Sequence, residues 1–126
     1  MKLEPDSGDA RYVIRGYSEH SILVNDVELH RSVIVLPDAL ITDWPPQSVA
    51  ELTMEHIEAL AQMNVGLVIL GTGRRTRFPS AAVMSPLARE SIGYEVMDTH
   101  AACRCYAVLV AEHRPVAAAL LPPGAD

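Results

Sequence analysis

Val65-Gly66-Leu67-Val68-Ile69-Leu70, closed by Gly71, decides the fold. The run is apolar throughout, with no alternation between polar and apolar positions. A strand with one wet face alternates, whereas a strand covered on both faces does not. A second run of the same kind, Val116-Ala117-Ala118-Ala119-Leu120-Leu121, is stopped by Pro122-Pro123. Each therefore reads as a strand buried inside a sheet.

The segments around these runs supply the covering layers. Thr53 is placed to cap a helix, with Glu55 in its first turn where the helix dipole favours an anion. Ile57, Leu60 and Ala61 then give it one narrow apolar stripe. Ser85-Pro86 reads as the start of a second helix and Gly93 as its end, followed by a short strand over 94–97. Thr99 is placed to cap a third helix running to about Glu112. Ala102, Cys103, Tyr106, Leu109 and Val110 share one face of it, and Ala107, Val108 and Ala111 lie on another. A helix this apolar is buried on more than one side or packs against a partner. Upstream, 12–14, 21–24 and 27–36 have β texture, and Asn25-Asp26 suits a hairpin turn. Pro37-Asp38 breaks the third strand, Leu40-Ile41 suits a further short one, and Trp44-Pro45-Pro46 is a loop. Strands alternating with helices predict an α/β fold with a parallel or mixed sheet. Residues 1–9 read as a flexible tail, 10–122 as a single domain and 123–126 as a short C-terminal tail.

Composition narrows the function classes. The chain has 126 residues, 49% apolar and 21% charged, which is enough aliphatic material for one core. Ten Lys and Arg stand against sixteen Asp and Glu, a net charge of −6. A general nucleic-acid binder is normally basic, so none is expected as a partner. The N-terminus lacks an apolar signal stretch, and the longest apolar run, 115–123, is too short to cross a bilayer. The expectation is a cytoplasmic protein without a transmembrane segment. Cys103 and Cys105 are expected to be free thiols. The histidines at 20, 30, 56, 100 and 113 show no His-x-His or His-x-x-x-His spacing, so no metal and no cofactor are expected.

Three stretches carry a resemblance: Gly71-Thr72-Gly73, Glu95-Val96-Met97-Asp98-Thr99, and Ala101-Ala102-Cys103-Arg104 leading to Tyr106. Trp44 and the closing Glu112-x-Arg114-x-Val116-Ala117-Ala118-Ala119-Leu120 fit as well. The pattern resembles the small domain-of-unknown-function family that includes mitochondrial complex I assembly factor 3 and short bacterial and archaeal members. The resemblance covers about residues 12–121. It implies a single three-layer α/β domain with a mixed central sheet, an N-terminal antiparallel part and about three helices. It also implies action by association with an unknown protein partner, a second copy of the chain being one candidate, and it implies no known reaction for the short members. Two positions depart from the family pattern: Cys105 stands in the place of a threonine, and Ala107 in the place of an asparagine. A ligand held by that hydroxyl and amide would be held differently here.

Two groups of residues are candidate sites. Gly71, Thr72, Gly73, Arg74, Arg75 and Arg77 follow the first buried strand, where α/β folds place ligands. Glycines let the backbone approach an anion, and three of the ten Lys and Arg residues fall within four positions. The spacing is neither Gly-x-Gly-x-x-Gly nor a phosphate-binding Walker loop. The competing reading is a tight turn followed by solvated arginines. The second group is Glu95, His100, Cys103, Arg104 and Tyr106. A thiol near a helix start beside a guanidinium can be activated, but Cys103 lies on the apolar face, where a cysteine is commonly a small buried hydrophobe. Whether the chain is an enzyme stays open at this point, with binding favoured over catalysis.

Overall fold

The computed structural model describes residues 10–126; the tail expected at 1–9 lies outside them. Eight strands, three α-helices and one 3-10 turn follow in order: β1 Ile14–Tyr17, β2 Ile22–Val24, β3 Val27–Leu29, β4 Val33–Leu36, β5 Ala39–Ile41, a 3-10 turn at Val49–Glu51, α1 Met54–Ala61, β6 Leu67–Gly71, α2 Ala81–Arg89, β7 Gly93–Met97, α3 Thr99–Ala111 and β8 Val116–Leu120. They form a three-stranded antiparallel sheet, β1-β2-β3, and a five-stranded mixed sheet ordered β5-β4-β8-β6-β7. The two apolar runs are neighbours at the centre of the larger sheet. β8 pairs parallel with β6, Ile69 opposite Ala118, and antiparallel with β4, Ile34 opposite Ala119.

The lack of alternation in those runs now has its cause. Val68, Leu70, Ala117 and Ala119 face one core, shared with Ile57 and Leu60 of α1 and Met84 and Leu87 of α2. Ile69, Val116, Ala118 and Leu120 face the other, shared with Ala102, Cys103 and Tyr106 of α3 and with Ile14, Ile22 and Val24 of the small sheet. Side chains on both faces leave no position free for a polar residue.

Local chemistry moved several boundaries. The stretch 27–36 is not one strand. His30-Arg31-Ser32 breaks it, β3 stays in the small sheet, and β4 crosses into the large one. The buried Ser32 is held at the crossing: its hydroxyl donates to the Pro46 carbonyl, and its N–H donates to Gln47 Oε1 at 3.1 Å. Asn25, with φ 51°, makes the β2–β3 turn. Thr53 does cap α1, and His56 completes a capping box. α2 starts not at Ser85-Pro86 but at Ala81, where Ser80 accepts from the Val83 N–H. Pro86 sits inside the helix. The Ala82 carbonyl that it cannot serve takes the Ser85 hydroxyl instead, at 2.8 Å. The left-handed position after α2 is Ser91, φ 57°, and Gly93 already belongs to β7. Asp98, not Thr99, caps α3, accepting from the Ala101 N–H at 2.9 Å. α3 packs on β6, β8 and β1, yet Val108 is 59% exposed, so its apolar circumference is not fully covered. No helix among the described residues is long and apolar enough to cross a membrane.

Candidate functional site

The loop after β6 is built around two glycines and two threonines. A Cβ on Gly71 would meet Leu120 and Thr99 at 3.0 Å, so only glycine allows α3 this close to β6. Gly73 has φ 101°, and a Cβ there would run into the Ala125 carbonyl. Thr99, freed from capping, spends its buried hydroxyl on the loop. It accepts from the Gly73 N–H and donates to the Leu121 carbonyl, each at 2.8 Å. The Thr72 N–H donates to the Met97 carbonyl at 2.9 Å. The Thr72 hydroxyl donates to the Arg75 carbonyl at 2.7 Å and accepts from the Arg77 N–H at 3.1 Å. The Arg74 N–H donates to the Ala125 carbonyl at 2.8 Å. The N–H groups of Thr72, Gly73, Arg74 and Arg77 are thus already bonded within the fold. The glycines serve close packing and a tight turn rather than an open phosphate cradle.

The side chains of that loop point to another use. Arg74 pairs with Asp126 at 2.5 Å. Arg75 and Arg77 are exposed and have no carboxylate partner among the described residues. Next to them Phe78, the sole phenylalanine of the chain, is 77% exposed. Two exposed guanidiniums beside an open aromatic ring have the make-up of an interface anchor.

The second candidate group is not brought together. Cys103 is fully buried in the α3 core, and burial pushes its thiol up to about 12, against which the neighbouring Arg104 pulls only partly. It is therefore a protonated thiol at neutral pH, not a nucleophile. Tyr106 is equally buried; its hydroxyl has no hydrogen-bond partner among the described residues, and burial, with help from Asp38, raises its pKa. Cys105 is half-buried on the other side of the helix, and burial and Glu95 raise its thiol. Glu95 itself is exposed on β7. His100 and Arg104 meet instead at Tyr17 of β1. The His100 ring stacks on Tyr17 at 4.1 Å and its Nε2 lies 2.7 Å from the Ser18 carbonyl. Arg104 donates to the Tyr17 hydroxyl at 2.6 Å. These contacts tie the small sheet to α3. Beside them a cleft of about 350 Å³ lies between His20, His100, Arg74 and the Pro123-Gly124 turn.

Sequence reasoning missed Tyr17, His20, Asp126 and Phe78. For Phe78 a signal was present: one phenylalanine in the chain, adjoining an arginine cluster and followed by Pro79. The others come to the site across large sequence separations, which no local pattern marks.

Residues 14–121 match the family model described as "Protein of unknown function (DUF498/DUF598)". NADH dehydrogenase [ubiquinone] 1 alpha subcomplex assembly factor 3 of Danio rerio is 34% identical over 99% of this chain and 71% of its own length. The human protein of the same name is 28% identical over 96% of this chain and 66% of its own length. Among solved structures, a Bordetella parapertussis protein superposes with a TM-score of 0.85 at 33% identity, covering 91% of this chain and 98% of that one. A Xanthomonas campestris protein does so with 0.82 at 36% identity, covering 100% and 96%.

Proposed function

This chain belongs to the DUF498/DUF598 family, and from that premise we propose that it works by binding another protein during assembly of a larger complex. The relatives named as assembly factors support this reading. The observation that carries it to a place on the molecule is the exposed Arg75, Arg77 and Phe78 on the loop after β6. A respiratory or membrane complex is the assembly in view, and the cytoplasm is the compartment. The buried Cys103 gives the catalytic alternative no nucleophile.

The test compares wild type with Arg75→Glu/Arg77→Glu/Phe78→Ala in quantitative affinity purification from the native host. All three side chains are exposed, so the variant should melt within about 0.5 kcal/mol of wild type. It should lose a reproducible subset of co-purifying proteins. Identical sets of proteins from the two baits would refute the docking role of this loop.

A further inference from the structure

We propose that the outer edge of β7 accepts an extended segment of the partner protein, paired antiparallel to Gly93–Met97, with acidic residues at the end that reaches Arg75 and Arg77. This rests on the association reading above and adds the binding mode and the chemistry of the partner.

β7 is the last strand of the large sheet. The Gly93 N–H donates to the Gly66 carbonyl at 3.1 Å, and the Met97 carbonyl accepts from Thr72 at 2.9 Å. Residues of that parity face β6, so alternation turns the N–H and C=O of Tyr94 and Val96 outward. Gly93, Tyr94 and Glu95 are exposed, Tyr94 at 40%. Proteins commonly blunt such an edge with proline, lysine, a bulge or extreme shortness. The opposite edge, β5, is three residues long and follows Pro37-Asp38. β7 has five residues in unbroken register with β6, without proline or lysine. An open, regular edge is the feature that strand addition uses.

The arginines lie at one end of that edge. Thr72 bonds through its N–H to Met97, the last residue of β7, and through its hydroxyl to Arg75 and Arg77. This holds the basic turn at the Met97 end of β7. Two cations with no carboxylate partner among the described residues, on a chain of net charge −6, suit a partner that brings carboxylates. A second copy fits less well, because pairing centred on Glu95 would set two carboxylates directly opposite each other.

The probe is a synthetic peptide of three glutamates followed by alternating valine and threonine, titrated into the ¹⁵N-labelled chain. Binding should slow solvent exchange at the Tyr94 and Val96 amides and shift Arg75 and Arg77. The same peptide with lysines in place of the glutamates should bind at least about tenfold more weakly. Tyr94→Pro removes an outward N–H and spares the β6 ladder, a setting in which an edge strand tolerates proline. It should cost about tenfold or more in affinity, whereas Tyr94→Thr, which keeps the N–H, should cost little. If Tyr94→Pro does not fold, amide exchange at Tyr94 and Val96 in the wild-type complex decides alone. The proposal falls if those amides are unperturbed at millimolar peptide, if the lysine peptide binds equally well, or if Tyr94→Pro binds like wild type. It also falls if the purified chain is a dimer that Tyr94→Pro dissociates, since the edge would then belong to a second copy. Failure of the peptide while affinity purification still depends on Arg75, Arg77 and Phe78 would sink strand addition and leave the association reading standing.

Discussion

Tyr106 shows how far a single residue can be read from sequence. Its spacing with Ala102, Cys103 and Val110 placed it on the buried face of α3, and there it is. Its hydroxyl was not legible: whether a buried O–H finds an acceptor depends on atoms brought in by other elements. Here none of the described residues supplies one. A buried, unpaired hydroxyl costs desolvation with no return. Tyr106→Phe should therefore be neutral or stabilising by up to about 1 kcal/mol in urea denaturation. A clear loss of stability would mean that the hydroxyl has a partner in solution.

At the level of elements, the strands of the large sheet were easier to read than the helix ends. A buried strand announces itself by composition over its whole length, as β6 and β8 do. A helix start is a competition between neighbouring candidates decided by a few hydrogen bonds. Ser80 prevailed over Ser85 because starting there puts Met84 and Leu87 into the core, and the Ser85 hydroxyl makes the internal Pro86 tolerable. Asp98 displaced Thr99 as cap because Thr99 is needed elsewhere, joining α3 to the β6 loop and to the end of β8. That bridge is a testable link. Thr99→Val keeps the shape but leaves the Gly73 N–H and the Leu121 carbonyl without their buried partner. It should cost more than about 2 kcal/mol by chemical denaturation, and Thr99→Ser should recover most of it. The passage of 27–36 from one sheet to the other was equally hidden, because the break at His30-Arg31-Ser32 has no glycine or proline to mark it.

The whole molecule reports its buried acids through pH. The Cys103 thiol is pushed from 9.0 to about 12, and Tyr106 is raised above 10.0, in both cases chiefly by burial. Below the lower of the unfolded values both groups are protonated in both states, and their contribution to stability is complete. Above it the unfolded chain releases protons that the folded chain retains, so stability falls as pH rises toward the folded values. Thermal melts should show the midpoint dropping from about pH 9 upward, with Cys103→Ala flattening part of the slope. A midpoint that is level through that range would show both groups to be accessible to solvent. The order of the large sheet has a consequence for how the chain comes into being. β8, the last of the described strands in chain order, fills the slot between β4 and β6. While the ribosome is still making α3, both neighbours have finished edges and nothing to join them. The growing chain must carry two apolar strands with open flanks until Leu120 has left the exit tunnel. Long-range pairing of this kind closes late and leaves sticky surface exposed in the meantime. The large sheet is thus closed in one late step, when β8 slides between β4 and β6.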